Sequence, residues 1–364
     1  MTAFAAEGYR LRPSGFPVLG GEMAANPANN QGFFATAAFV TGSADSITDN
    51  AGNDSTITPP IVPLPTGALT GGAIPDGTYN LVSQPLKLDY QQDTSQLNMI
   101  VGYLFDIGIE NSRLGVSLNK SYQKKERHVS VDASSYQLAP TAPANLSPGL
   151  SALLTGATQQ AQKQVDQQIS AELAYQNRSV EGFGDTTAAV FYTHNSANGK
   201  LKWATDLSIA FPDGEYESDR GPNPGKNYRT TRLGFAATYT LDAPEGSLLS
   251  NVTIGNRTAY GWNTENPDGQ YKTGQFFSSE VGIEKINGNF AWGVSVAALI
   301  QTTDDEVAGV AVEDYRYRSY AAGPFVAMRF PTRHFALNLS AAQSFHERNA
   351  PSGDLFSLRL IKSW

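Results

Sequence analysis

From residue 95 onward the chain repeats one unit. Segments of roughly ten residues alternate apolar with polar positions and are separated by turn chemistry, the pattern of membrane-barrel strands. This alternation predicts strands over 31–42, 95–107, 112–122, 184–194, 200–211, 227–241, 247–262, 270–286, 290–303, 317–330, 335–347 and 354–364. Their number is even, as a closed single-chain bacterial barrel requires. Proline cannot donate to a strand ladder, and of 20 prolines only Pro324 falls inside a predicted strand. The connections alternate in length. Short ones sit at 108–111, 195–199, 242–246, 287–289 and 331–334; long ones span 43–94, 123–183, 212–226, 263–269, 304–316 and 348–353. The expected fold is an all-β, twelve-stranded antiparallel transmembrane barrel with short periplasmic turns and long extracellular loops. In the second long loop, Ser147 followed by Pro148 starts a helix whose Ala/Gln-rich sequence runs to about Gln168.

Aromatic placement follows the same topology. Trp203, Phe290, Trp292, Phe330 and Phe335 flank short turns, and Trp364 ends the chain. Tyr228, Tyr260, Trp262, Tyr271, Tyr315, Tyr317 and Tyr320 fall at the opposite strand ends. Two aromatic belts place amphipathic rings at two headgroup levels. No run approaches the roughly 18 apolar residues of a spanning helix; the longest, 33–40, is interrupted by Thr36. The terminal stretch 356–364 alternates and closes on an aromatic residue. It resembles the signal read by the barrel assembly machinery, departing from it at Lys362. Ala3-Phe4-Ala5 resembles the end of a signal peptide, so residues 1–5 are read as a signal or tag remnant and 31–364 as the barrel.

Composition narrows the function classes. The chain has 26 Lys+Arg against 34 Asp+Glu, a formal charge of −8, and only 16% charged residues. An acidic chain without a basic run is not built for nucleic acid. With no cysteine, disulfides, thiol catalysis and thiolate metal sites are excluded, which suits an exported protein. The topology puts His128 and His346 on the extracellular side and His194 and His334 on the periplasmic side. A Ser-His-acid triad needs its members within hydrogen-bond reach. There is no G-x-S-x-G, H-E-x-x-H or phosphate loop. The acidic clusters Asp213/Glu215/Glu217/Asp219 and 304–306 lack calcium-loop spacing and read as solvated loop charge. No enzymatic activity, metal or cofactor is expected.

Setting strand phase by Trp203 and Trp292 facing lipid sends Asp206, Arg232, Glu280, Glu284, Gln301, Asn338 and Arg359 inward. They alternate with small or apolar residues such as Ala204, Gly293, Ala297 and Leu299. This lining lacks the single-sign charge ladder of an ion-selective pore. Residues 6–30 show no strand pattern yet carry Tyr9, Arg10, Leu11, Arg12, Phe16 and Leu19. That segment is expected to fold into the lumen as a plug; the competing reading, a disordered periplasmic tail, would be more polar.

Several local sequences recur in a set order: Gly182-Phe-Gly-Asp185, Pro212-Asp-Gly-Glu-Tyr216, Arg220, Asn223-Pro-Gly225, Asn227-Tyr228, Tyr271-Lys-Thr-Gly274, Gln301-Thr-Thr-Asp304 and Gly323-Pro324. By their order and spacing the chain, best over 182–330, resembles the outer-membrane channel family linked to the meta-pathway of phenol degradation. The resemblance implies a twelve-stranded barrel, an N-terminal luminal segment, and passive uptake of hydrophobic small molecules. The expected setting is the bacterial outer membrane, with its lipid and lipopolysaccharide as partners and a hydrophobic or aromatic solute as cargo. A narrow channel for small hydrophilic solutes and a non-transporting structural or adhesive barrel are the alternatives, with an outer-membrane hydrolase more remote. Pro324 removes a ladder donor and Gly323 leaves no side chain over the gap. With Tyr320 and Phe325 they form a candidate lateral opening; a bulge that only bends the strand is the competing reading.

Deleting residues 6–28 should raise single-channel conductance while the heat-resistant barrel still forms on gels. Unchanged conductance would make the segment a tail.

Overall fold

The computed structural model describes residues 31–132, 135–142, 145–218 and 221–364. The candidate plug residues Tyr9, Arg10, Leu11, Arg12, Phe16 and Leu19 lie outside the described residues, as do Asp219 and Arg220. The barrel strands are β1 (Gly32–Ile47), β2 (Leu86–Asp106), β3 (Ser112–Val131), β4 (Thr187–Asn195), β5 (Leu201–Ala210) and β6 (Thr230–Thr240). They continue with β7 (Val252–Asn263), β8 (Phe276–Asn287), β9 (Phe290–Gln301), β10 (Arg318–Phe330), β11 (Phe335–Arg348) and β12 (Pro351–Ser363). Each pairs antiparallel with its neighbour in the chain, and β1 pairs with both β2 and β12, which closes the barrel. A closed barrel has no free sheet edge and so satisfies its backbone inside lipid. Among the described residues no helix is long and apolar enough to cross a membrane. Along β5 and β9 the residues Leu207, Trp292, Val294 and Val296 are exposed, whereas Ser208, Ala291, Ser295 and Ala297 are buried. Apolar residues outside and small or polar ones inside is the inverse of a soluble sandwich.

The structure corrects several predicted boundaries. β2 and β3 run far beyond 95–107 and 112–122, roughly 30 Å past the predicted ends at about 3.3 Å per residue. Predicted segment 270–286 is split, because Tyr271–Lys272 leaves the barrel to pair with Asp305–Val307. The predicted strands at 227 and 247 begin later, at Thr230 and Val252. The strict alternation of connection lengths fails twice. The expected short turn 242–246 widens to join Thr240 to Val252, while the expected long loop 348–353 shrinks to Asn349 and Ala350 between strands. Asn349 takes a left-handed φ of 48°, and proline is tolerated as the first residue of a strand, here Pro351. Three expected belt aromatics are also turned inward: Tyr228, Tyr271 and Tyr317 are buried, while Tyr260 and Trp262 remain exposed. Lys362 faces lipid at the periplasmic edge, where its Nζ reaches the Arg333 carbonyl at 2.5 Å and lies over the Trp364 ring.

Above the membrane the first two long loops form a layer of their own. Helix α1 (Pro148–Gln176) extends past the predicted Gln168, with Ser147 Oγ accepting from the Leu150 N–H at 3.3 Å. Its stripe Leu154, Ala157, Ala161, Val165 and Ile169 recurs every three or four residues. That stripe packs on Leu64, Tyr79, Leu81 and Leu86.

The recurring local sequences interlock at the extracellular rim. The Phe183 N–H donates to Glu215 Oε1 at 2.9 Å, and Asp185 accepts from the Gly214 and Lys226 N–H groups. Gly225 lies against the Gly214 backbone, where a Cβ would come within 2.6 Å. Asn266 joins this knot to the next, donating to Tyr216 Oη at 3.0 Å and accepting from Asn227 Nδ2 at 3.0 Å. In the second knot Asp305 accepts from the Tyr271 hydroxyl, from the Gly274 N–H at 2.9 Å and from Gln301 Nε2 at 2.6 Å. Burial pushes the Asp305 carboxyl up, and burial together with the Asp305 charge holds the Tyr271 phenol well above its usual value. Described acids of both clusters are thus spent on loop structure: Asp213 binds Thr186 and Lys120, and Asp304 binds Arg316. Among the described residues no group of acids and histidines is arranged to hold a metal.

Asp305→Ala would leave three donors without their acceptor, about 1–3 kcal/mol for each one that stays buried. Hydrogen exchange should rise at 271–276 and 301–317 while the barrel keeps its heat resistance on gels.

Candidate functional site

Inward-facing strand positions place most of the candidate lining residues in one half of the lumen, on β5 to β8. Asp206 on β5 meets Arg257 on β7, with Arg257 Nη2 donating to Asp206 Oδ1 at 3.3 Å. Asp206 lies over Gly234, where a Cβ would come within 2.3 Å of the carboxylate, so glycine at 234 makes room for it. Arg232 Nε donates to Ser208 Oγ at 3.3 Å, and Arg257 lies directly opposite Glu280 in the β7–β8 register. Nearer the periplasm, Arg329 Nη2 donates to Glu284 Oε1 at 3.1 Å, with Glu284 only 1% exposed. Lys202 lies within electrostatic range of both. Asn338 and Arg359 are direct cross-strand partners on β11 and β12. Gln301 faces inward but belongs to the rim knot, where its amide also donates to the Thr303 carbonyl and accepts from the Tyr317 N–H. The sequence reading passed over Arg257 and Arg329. The signal was there, since Trp262 and Phe330 facing lipid would have turned both inward.

On β9 to β12 clusters of small apolar side chains lie among the buried polar residues Ser295, Asn338, Ser340 and Ser357. Ala297, Ala321, Ala342 and Leu355 form one buried cluster across β9 to β12, and Ala291, Ala327 and Ile286 form another. Phe325 is 2% exposed. Its ring lies on Gly293 of the neighbouring strand, where a Cβ would come within 2.5 Å of it. The same seat holds Phe34 on Gly102, Phe191 on Gly115 and Phe276 on Gly261. Each pair is directly opposite in register. Glycine opposite phenylalanine lays the ring along the wall and keeps it out of the bore.

Beside these apolar clusters the ladder is interrupted. Between β10 and β11 the pairing runs through Ala322↔Gln343, omits Gly323 and Pro324, and resumes at Phe325↔Ser340. Register is unchanged across the gap; the one shift lies higher, between Arg318 and Tyr320. The competing expectation of a bulge at Gly323–Pro324 is therefore corrected. Strand β11 leans over the glycine, with the position of a Cβ only 1.8 Å from the Ala341 carbonyl oxygen. A hollow of about 530 Å³ lies against this stretch, lined by Thr41, Ala322, Pro324, Ala341 and Phe356 among others. Of the four candidate opening residues, Gly323 and Pro324 mark the gap and Phe325 closes its lower end on the inner face. Tyr320 sits above it on the lipid face, stacked on Phe345 at 6.0 Å.

A family model described as "Putative MetA-pathway of phenol degradation" matches residues 126–360. No curated protein sequence matches the chain. Among solved structures, the COG4313 outer membrane channel from Pseudomonas putida F1 is similar over 93% of this chain and 98% of that one. The TM-score is 0.58 and the identity 11%, a likeness of fold. The CymD monoaromatic hydrocarbon channel (TM-score 0.39, 9% identity, 100% of this chain and 97% of that one) is much more distant. So is the Pseudomonas putida toluene transporter TodX, with a TM-score of 0.36, 8% identity, and coverage of 93% of this chain and 90% of that one.

Glu284→Leu should destabilise the barrel by roughly 3 kcal/mol, because it leaves Arg329 and Lys202 facing each other without the carboxylate between them. The temperature at which the protein unfolds on a heat-modifiability gel should fall. An unshifted temperature would mean the pair contributes no net stability.

Proposed function

Because the chain belongs to the family of the putative MetA-pathway of phenol degradation, we propose that it is an outer-membrane channel for passive uptake of hydrophobic or aromatic small molecules. The observation that carries this reading is the juxtaposition on β10 and β11. An apolar inner patch, Ala297, Ala321, Ala342 and Leu355, backs onto a stretch of wall without ladder pairs. The same stretch meets a hollow lined by small and apolar side chains together with Gln343, Asp93 and Asp354. A greasy solute released into periplasmic water gains little from a protected lumen, since burial of apolar surface is what favours its transfer. Sideways release into the membrane keeps that surface out of water. Elsewhere in the bilayer region, parting two strands would strip backbone groups of their partners. At Gly323–Pro324 those pairs are already missing. The lumen charges support the same reading against a hydrophilic pore: Asp206 pairs with Arg257 and Glu284 with Arg329, so the two signs are interspersed and offer no single-sign path. Gly323, Pro324, Tyr320 and Phe325 are the residues we assign to the exit.

Cells lacking the protein should take up a hydrophobic aromatic more slowly, with sugar uptake unchanged. A valine at Gly323 would collide with the Ala341 carbonyl, so the exit is better tested by a staple. The chain has no cysteine, and Ala322 and Gln343 are direct cross-strand partners just above the gap. Ala322→Cys with Gln343→Cys should form a disulfide that slows aromatic uptake when oxidised, with reduction restoring it. Equal uptake in both states would exclude an exit that needs β10 and β11 to part. Equal defects for sugars and aromatics would favour a general pore.

A further inference from the structure

We propose that the outer face of β10 and β11 carries a binding site for the phosphate groups of lipopolysaccharide, formed by Arg318 and Arg348. The two arginines are direct cross-strand partners at the extracellular ends of these strands. Arg318 lies opposite Ile300 and two residues above Tyr320, which lies opposite Ala298. Leu299 and Tyr317, with the opposite phase, are buried. Both guanidinium groups therefore project from the lipid side of the wall. Like charges directly opposite on a sheet repel and destabilise it. Among the described residues neither guanidinium has an ion pair or hydrogen bond, and Arg348 Nε is buried without a partner. Three nearby acids are committed elsewhere, while Asp354 on β12 lines the hollow below. Asp304 is held by Arg316 at 2.7 Å, Asp314 accepts from Asn50, and Glu347 is buried beside Ser344 and Ser352. Such a pair calls for an anion from outside the chain.

The surroundings select a lipid-borne anion over a free one. Just below the arginines the Tyr320, Phe345 and His346 rings stack at about 6 Å, the belt that marks the headgroup level. One step further down, Ala322, Pro324 and Ala341 line the 530 Å³ hollow together with Gln343, Asp354 and Asp93. Two guanidinium groups over an aromatic shelf match a phosphate above a sugar ring. Guanidinium binds phosphate through paired, charge-assisted hydrogen bonds. The site opens on the extracellular leaflet, so the phosphorylated glycolipid of that leaflet is the occupant. This inference does not depend on what passes through the lumen.

The probe is purified bisphosphorylated lipid A in mixed detergent micelles, read by binding to the labelled full chain and by its heat-modification temperature. Wild-type protein should bind it and shift upward. Arg318→Ala with Arg348→Ala should bind about tenfold or more weakly and lose most of the shift. Without lipid its unfolding temperature should equal or exceed the parent's, because the opposed charges are gone. Arg318→Lys with Arg348→Lys should keep part of the binding. Dephosphorylated lipid A should behave on the wild type as bisphosphorylated lipid A does on the alanine variant. That comparison stands even if the alanine variant fails to assemble. The proposal is overturned if the alanine variant binds like the parent or if dephosphorylated lipid A binds equally. It is also overturned if inorganic phosphate or phosphatidylglycerol gives the same shift.

Discussion

Within hydrocarbon every strand N–H and C=O must find its partner inside the protein, and the whole architecture rests on the seam where that is hardest to arrange. β1 and β12 come from opposite ends of the described chain, yet they pair from Phe34↔Ser363 to Ile47↔Pro351. The Trp364 N–H donates to the Phe33 carbonyl at 2.9 Å to finish the row. An unsatisfied peptide group at bilayer depth costs several kcal/mol, so without this seam two free edges would sit in lipid. Closure also makes any departure informative. In a soluble sheet a proline on a strand is a minor event at an edge. In a sealed barrel it is a place where the wall is held by something other than ladder pairs.

Closure divides the rest of the molecule into parts that must hold still and a part that need not. The charges on β5 to β8 pair across strands, and the glycine-seated phenylalanines line the wall without filling the bore. At the extracellular mouth the two rim knots fasten the loops through Asp185, Asn266 and Asp305. The family-like local sequences turn out to encode these knots rather than the lumen surface. Their glycines allow backbone to meet backbone, and their acids and amides bridge loops distant in sequence. The rim knots and most of the paired charges lie from β3 to β9, and the interruption lies beyond them, beside the small apolar clusters on β9 to β12.

The strands were legible because lipid imposes period-two alternation with apolar residues outward, and Trp203 and Trp292 set the phase. Boundaries were less legible wherever pairing continues above the membrane. In β2 and β3 the segments 86–94 and 123–131 are polar outside and buried inside only because the first loops and α1 cover them, and that cover is not written in either strand. Tyr271 read as a continuing strand residue because its alternation is correct, and only the distant Asp305 draws it out of the barrel. Asn349 and Ala350 read as part of a long loop because a hairpin's compactness depends on a left-handed asparagine that several residue types could replace. The lining followed directly from phase, whereas the Arg318–Arg348 opposition did not. A register shift between Arg318 and Tyr320 brings the two arginines level, and no single-strand pattern reveals it.

That shift bears on how the interrupted wall holds together. Above the gap the β10–β11 register is set by the irregularity at Arg318–Tyr320 and by the Tyr320–Phe345 stack. Below it the ladder resumes at Phe325↔Ser340, and Phe330 packs on Phe335 at 5.7 Å beside the turn. A one-residue slip would turn every side chain of a strand to the wrong face. Here the residues on both sides of the gap keep the same register, and the intervening pair is absent for a local cause: Pro324 lacks a donor, and Gly323 lets the β11 backbone lean in. Two strands pinned at both ends and unpaired between them can part and close again without losing register. Parting them there removes no ladder pair that the closed wall possesses. A bulge at the same place would have had neither property, because its extra residue must be stored on one strand whether the wall is open or shut. The unshifted register is what the proposed exit at Gly323–Pro324 relies on.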